Sequence, residues 1–153
     1  INMKIVIATD GSDYSKAAVA DASKYISDPD NTEIVVVSAY EDAFPITAEP
    51  FALSAEYYQK IEEAVREQAT QFIQEAADDL VARFPGKTLD ISTEVLRGSP
   101  DREIVEFAKT SKCDLIIVGS HGRGFWGRML GSVSDGVVHH APCSVLVVRT
   151  PHK

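Results

Sequence analysis

Five short apolar runs divide the chain, at 3–8, 33–40, 88–96, 114–120 and 143–149. Four of them are rich in Val and Ile, and three are nearly continuous in apolar character rather than alternating. Continuous apolar runs of this length are typical of strands that are covered on both faces, as in a parallel sheet. The pattern therefore predicts a buried parallel sheet.

Between these runs, apolar residues recur at the spacing of an α-helix. After the first run, Ala and Val recur at helical spacing, and Ser12 or Asp13 is placed to cap the helix. A longer helix is predicted over 61–84, where apolar residues recur every three or four positions until a Pro-Gly pair ends the pattern. Further helices are predicted over 101–111 and 133–140.

This alternation predicts an α/β fold, namely a doubly wound, open, five-stranded parallel sheet with helices on both faces. The expected strand order is 3-2-1-4-5, as in Rossmann-like folds, and 153 residues are the length of one domain. Segment 42–53 contains prolines and is interpreted as a flap or insertion in that domain. Ile1 and Asn2 precede the first methionine and are interpreted as a cloning remnant.

Two irregular loops follow the first and fourth strands. They are "TDGSDYS" (9–15) and the stretch 119–136, which holds six of the nine glycines. In this topology the winding reverses between those strands, and ligands bind outside their carboxyl ends. Both loops are therefore expected to meet at one crevice, where a ligand approaches the glycine-rich backbone closely.

Composition and charge limit the kinds of binding partner that we expect for this protein. The net charge of -8 argues against nucleic acid or an anionic membrane surface, because such binding depends on clustered Lys and Arg. No apolar run approaches the roughly 18 residues of a membrane span, and the start lacks the pattern of a secretory signal. Cys113 and Cys143 form no CxxC motif and are interpreted as core residues in a reducing compartment. We expect a cytoplasmic protein with a small-molecule or protein partner.

The glycine-rich stretch ends in "GSVSD" (131–135), directly before a predicted helix. A helix N-terminus offers unpaired N–H groups to an anion, whereas Ser132 and Asp135 also form a capping box that needs no ligand. Arg123 and Arg128 favour a phosphate ligand, because guanidinium groups match phosphate geometry. The chain contains neither a Walker A sequence nor GxGxxG after the first strand, so a different nucleotide loop is required.

Together these motifs resemble the universal stress protein family. The resemblance runs from Met3 to about Arg149 and rests on "KIVIATDGSDYSKAAV", "GSHG", "GSVSD" and "HAPCSVLVVR". Family members with this glycine pattern bind ATP in the crevice described above. The resemblance implies Asp10 near the ribose or phosphates, Ala39 at the adenine wall, Val118 and Gly119 near the ribose, and Gly122, Gly131, Ser132 and Val133 around the phosphates. His121 and Arg123 complete the candidate binding set.

The spacer between the two phosphate motifs departs from the family's G-x2-G-x9-G-[ST] pattern. Eight residues, 123–130, separate Gly122 from Gly131. If the spacer is extended, one missing residue displaces the phosphate contacts by up to about 3.5 Å. The two glycines within it allow the loop to adapt instead, so ATP binding through this loop stays open.

Asp10 and the histidines each have an ordinary interpretation beside the functional one. An Asp after a strand often stabilises a turn through backbone hydrogen bonds, and it is equally suited to a ribose hydroxyl or to a magnesium ion held with the nucleotide. His139 and His140 are adjacent on a helix and lack the i, i+4 spacing of a zinc pair, which favours ordinary residues at a helix C-terminus.

The edge strand and two aromatic residues indicate a second chain. The last strand, 143–149, lies at a sheet edge and needs protection, which pairing with a second copy supplies, as is common in the family. Phe125 and Trp126 lie in the glycine-rich loop, where they are expected to cover the nucleotide or to contact a partner. A homodimer is expected.

Three functions fit these residues. The leading hypothesis is a stress-response or regulatory module that binds ATP and changes its partner interactions, so that binding rather than turnover is the function. The second is a dimeric interaction module of the same family without ATP binding. The third is a slow ATPase or autophosphorylating protein, with Ser132 or Ser134 as acceptor; the chain has no GxSxG elbow and no catalytic triad is assigned.

Overall fold

Five parallel strands form a sheet in the computed structural model, which describes residues 2–41, 55–122 and 129–150. The strands are β1 (Met3–Ala8), β2 (Thr32–Tyr40), β3 (Asp90–Arg97), β4 (Leu115–Gly119) and β5 (Ser144–Val148). Their order is β3-β2-β1-β4-β5, and each neighbouring pair is parallel. The predicted fold class and strand order are therefore confirmed.

Within the described residues, four α-helices connect the strands: α1 (Asp13–Tyr25), α2 (Ala55–Ala82), α3 (Pro100–Thr110) and α4 (Ser132–His140). Ser12 is the N-cap of α1, and its Oγ accepts from the Ser15 N–H at 3.2 Å, as predicted. Helix α2 begins before the predicted position 61 and ends at Ala82, so that Phe84 packs on the core from beyond the helix. A short 3-10 turn at Pro29–Asn31 was not predicted.

Alternate residues of β1 supply the two faces of the sheet. Ile5 and Ile7 pack with residues of α1 and α2, whereas Val6 and Ala8 pack with residues of α3 and α4. Ile5, Val6 and Ile7 are fully buried. The continuous apolar runs of the sequence arise because helices cover the central strands on both faces.

The remaining predictions about loops fall outside the described residues. They concern the flap at 42–53, the cations Arg123 and Arg128, and the aromatic pair Phe125 and Trp126. Among the helices that are described, none combines the length and the apolar character that a membrane crossing requires.

Candidate functional site

A crevice opens at the carboxyl ends of β1 and β4, where the direction of winding reverses. Seven of the ten predicted site residues line it: Asp10, Ala39, Val118, Gly119, His121, Gly122 and Val133. Gly131 and Ser132 lie beside it at the start of α4 and are not among its lining residues. Arg123 lies outside the described residues.

The lining of the crevice combines two sets of residues, which we call the apolar wall and the polar floor. Ala39 from β2, Val118 from β4 and Val133 from α4 contribute to the apolar wall together with two residues of α3, Pro100 and Ile104. The polar floor carries the side chains of Thr9, Asp10, Ser15, His121 and Ser134. Such a combination of a broad apolar surface with a few polar groups is typical of small-molecule sites.

Asp10 follows β1 and is partly buried. Its Oδ1 atom accepts from the Ser12 N–H at 2.9 Å, which closes a turn over Gly11. The turn interpretation of Asp10 is therefore confirmed. Its Oδ2 atom faces Gly122 so closely that a Cβ atom there would lie 2.9 Å away. One carboxylate oxygen thus fixes the loop, and the other is directed at the glycine motif.

Hydroxyl groups hold the strand-to-helix corner beside Asp10. Thr9 Oγ1 donates to Ser15 Oγ at 3.0 Å, and Ser15 Oγ donates to the Ser12 carbonyl oxygen at 2.9 Å. All three side chains are buried. The corner is therefore rigid at the position where it carries Asp10.

Gly119 allows α1 to approach the end of β4. A Cβ atom at this position would lie 2.8 Å from both the carbonyl carbon and the carbonyl oxygen of Tyr14. Since these are backbone atoms, they cannot yield as a flexible side chain does. The glycine thus sets the distance between the loop that carries Asp10 and the motif that carries Gly122.

His121 joins the two ends of the glycine-rich loop. Its side chain is buried, its Nδ1 atom lies 2.9 Å from Ser120 Oγ, and its Nε2 atom is hydrogen bonded to the Met129 carbonyl oxygen. A carbonyl oxygen only accepts, so Nε2 carries the proton and the Ser120 hydroxyl donates to Nδ1 in the neutral imidazole. The ring also meets Tyr14 edge-on, with centroids 5.0 Å apart.

Helix α4 begins beside this histidine, with Gly131 as its N-cap. The capping-box interpretation of Ser132 and Asp135 is wrong, because Ser132 is the first helical residue and Gly131 offers no side-chain acceptor. The Gly131 N–H donates to the Ser120 carbonyl oxygen at 2.8 Å, and Ser134 Oγ donates to the same oxygen at 2.8 Å. These two bonds fix the first turn of α4, with its N–H groups, at the end of β4.

His139 and His140 lie in the last turn of α4, at the helix end that the sequence predicts. His139 Nδ1 and His140 Nδ1 lie 2.8 Å and 2.9 Å from the carbonyl oxygens of Asp135 and Gly136. Among the residues that the structure describes, no group of three or more His, Cys, Asp or Glu side chains is arranged to hold a metal ion.

Six of the described residues that line the crevice were not assigned to the binding set from the sequence: Ala8, Thr9, Ser15, Pro100, Ile104 and Ser134. Thr9 and Ser15 lie within the loop that was recognised, so the loop itself was the available signal. Pro100 and Ile104 belong to the first turns of α3, and a helical pattern does not show which apolar residues meet the core and which meet a crevice.

The fold and crevice define the class of a Rossmann-like α/β protein with an open cleft at its topological switch point. The sequence profile of the universal stress protein family matches residues 2–149. A universal stress protein of Methanocaldococcus jannaschii is 35% identical over 151 residues, which cover 98% of this chain and 84% of the relative. The chain therefore belongs to the universal stress protein family.

Solved structures of similar fold include proteins with bound adenine nucleotides. UspA from Lactobacillus plantarum has a TM-score of 0.75 at 23% identity, covering 96% of this chain and 97% of its own. A universal stress protein in complex with cAMP has a TM-score of 0.66 at 27% identity, covering 97% and 98%. A family member from Arabidopsis thaliana with AMP bound has a TM-score of 0.65 at 17% identity, covering 97% and 92%. Relatives thus bind adenine nucleotides.

Proposed function

We propose that this protein is an ATP-binding regulatory module that holds the nucleotide in the crevice between β1 and β4 and alters its interaction with a protein partner accordingly. The observation that carries the proposal is the placement of an apolar wall and the first turn of α4 on the same crevice. A base requires the first feature and phosphates favour the second.

The apolar wall suits the adenine base. Ala39, Val118 and Ile104 come from three different elements, and Ala39 is small enough to leave room for a flat ring. The polar floor suits the ribose, since Asp10 Oδ2 is an acceptor for a hydroxyl group.

The phosphates are assigned to the start of α4 and to the glycine motif. Gly122 and Gly131 present backbone without side chains, and the first N–H groups of α4, including those of Ser132 and Val133, lack helical partners. A magnesium ion bound with ATP would neutralise phosphate charge, and Asp10 is the oxygen ligand within reach of the glycine motif.

Amide chemical shifts test this division of the crevice. We expect magnesium-ATP to shift the amide resonances of the apolar wall and of the start of α4. Adenosine alone should shift those of Ala39 and Val118, and tripolyphosphate alone those of Gly131 and Ser132. Shifts by ATP that cluster on the opposite edge of the sheet would contradict the proposed site. A parallel titration with GTP measures the selectivity for adenine.

His121 is expected to be a positioning residue for the phosphate loop, because it joins Ser120 to Met129 across the spacer. Replacement by alanine removes these bonds, and we expect ATP binding to weaken about tenfold, equivalent to about 1.4 kcal/mol. His121→Asn, which retains a donor, is the control and should retain more of the affinity. Trp126 lies within the spacer and is the only Trp, so its fluorescence reports loop order directly.

We also propose that the chain forms a homodimer through the edge strand β5. The Val148 carbonyl oxygen accepts from the Ser120 N–H at 2.9 Å. Val148 therefore directs its backbone N–H and C=O groups towards β4, and because these directions alternate along a strand, Leu146 does the same. Val145 and Val147 therefore direct their backbone N–H and C=O groups away from β4, to the free edge of the sheet. The β5 strand of a second chain can pair with this edge.

Val147→Pro is expected to convert the dimer into a monomer at micromolar concentration, because proline removes an outward N–H and leaves the bonds to β4 in place. Sedimentation equilibrium measures the mass, and Val147→Ala is the control that keeps the N–H. A Val147→Pro protein that remains dimeric would place the interface elsewhere.

A further inference from the structure

We propose that Cys113 and Cys143 form a dithiol oxidation site, at which a small hydroperoxide converts the two thiols into an intramolecular disulfide. The two Sγ atoms are 3.9 Å apart although the residues are 30 positions apart in the chain. Both cysteines are free thiols in this structure.

The topology places this pair at the end of the sheet opposite the crevice. Cys113 lies two residues before β4 and Cys143 lies directly before β5, so both lie at the amino ends of neighbouring parallel strands. Helices α3 and α4 end shortly before them. A bond between the cysteines would therefore tie together the far ends of the two helices whose first turns line the crevice.

The geometry permits the bond after a small movement. A disulfide has an S–S length of about 2.05 Å, so the sulfur atoms must approach by about 1.9 Å. Rotation of a cysteine side chain supplies a displacement of this size. The Cys113 S–H donates to the Leu115 carbonyl oxygen at 3.0 Å, and this weak hydrogen bond is lost when the disulfide forms.

The two cysteines differ in access, which assigns their roles. Cys143 is partly exposed and Cys113 is buried, so Cys143 meets the oxidant first. Its thiolate attacks one peroxide oxygen, the O–O bond breaks, and water leaves after protonation to give a sulfenic acid. The Cys113 sulfur then attacks the Cys143 sulfur, and the expelled hydroxide leaves with the Cys113 proton as a second water. Two thiols are oxidised and one hydrogen peroxide molecule is reduced.

The surroundings slow both thiol attacks, while the contact between the two sulfur atoms directs the sulfenic acid to the disulfide. Burial raises the pKa of Cys113 to about 12 and also raises the pKa of Cys143 above its ordinary value. Both groups are therefore thiols at neutral pH, and only the thiolate is a good nucleophile. Once the sulfenic acid has formed, its partner is already in contact with it. The site responds to sustained rather than transient peroxide.

Intact-mass measurement after incubation with hydrogen peroxide tests the site. We expect the monomer to lose the mass of two hydrogen atoms, and proteolysis to yield one cross-linked peptide pair containing Cys113 and Cys143. Dithiothreitol should restore the original mass. Denatured protein, treated in the same way, shows that the oxidant is active.

Cys143→Ser is the matched variant, because it removes the exposed thiol with a small change of size. It should form no intramolecular disulfide, while the wild-type disulfide raises Tm by about 5–10 °C through closure of the 30-residue loop. Oxygen addition without cross-linking, disulfide-linked dimers alone, or no change of mass in the folded protein would each overturn the proposal.

Discussion

Gly119→Ala is expected to lower the free energy of unfolding by about 3 kcal/mol, because the backbone of α1 obstructs the added methyl group. The added Cβ atom would lie 2.8 Å from two backbone atoms of Tyr14 and 3.1 Å from the Ser15 nitrogen. Relief requires α1 to move away from β4, which disrupts core packing. Urea unfolding monitored by circular dichroism measures the loss.

Gly86→Ala is the matched control for this substitution. Gly86 has a φ of +78°, but a Cβ atom there would meet nothing within 4 Å. We expect only backbone strain, of about 1 kcal/mol. Equal losses in the two variants would show that the close approach at Gly119 is not a source of stability. A larger loss at Gly119 would support its role in fixing the crevice.

Ser132→Asp is expected to weaken ATP binding about 30-fold or more while leaving the fold intact. Ser132 is exposed at the first position of α4, where a carboxylate interacts favourably with the helix dipole and stabilises the protein by up to about 1 kcal/mol. The same charge repels phosphates bound at that helix end. At about 5 Å and an effective dielectric constant between those of a protein surface and water, the repulsion is about 2 kcal/mol.

Ser132→Asn separates charge from size. The asparagine side chain is close to aspartate in shape and carries no charge, so we expect its ATP affinity to stay within about fivefold of the wild type. Isothermal titration measures affinity and thermal unfolding measures stability for both variants. If Ser132→Asp binds ATP as tightly as the wild type, the phosphates do not lie at the start of α4.

The fold could be predicted from the sequence because its main signal is local. Short apolar runs identified the strands, and their strict alternation with helices left few topologies. Asp10 and Gly122 were placed at one crevice by the same reasoning, since the carboxyl ends of β1 and β4 meet there. The resemblance of the surrounding motifs to the family added ATP as the expected ligand.

What could not be predicted depends on contacts between distant residues. The pairing of Cys113 with Cys143 requires the order and register of β4 and β5 together with the side-chain directions. The start of α4 was misjudged because Ser132 fits a capping box by sequence, whereas the bonds from Gly131 and Ser134 to the Ser120 carbonyl oxygen fix a different first turn. Both features depend on tertiary structure and have no local pattern.

The central claim is that the crevice binds ATP, and calorimetric titration of the protein with magnesium-ATP tests it most directly. Trp126 fluorescence is followed in the same samples, with GTP and AMP as comparison ligands. Our account predicts saturable binding at micromolar ATP, weaker binding of GTP, and a change in fluorescence. No heat and no fluorescence change up to millimolar ATP would contradict it, and would favour a family member that acts through protein contacts alone.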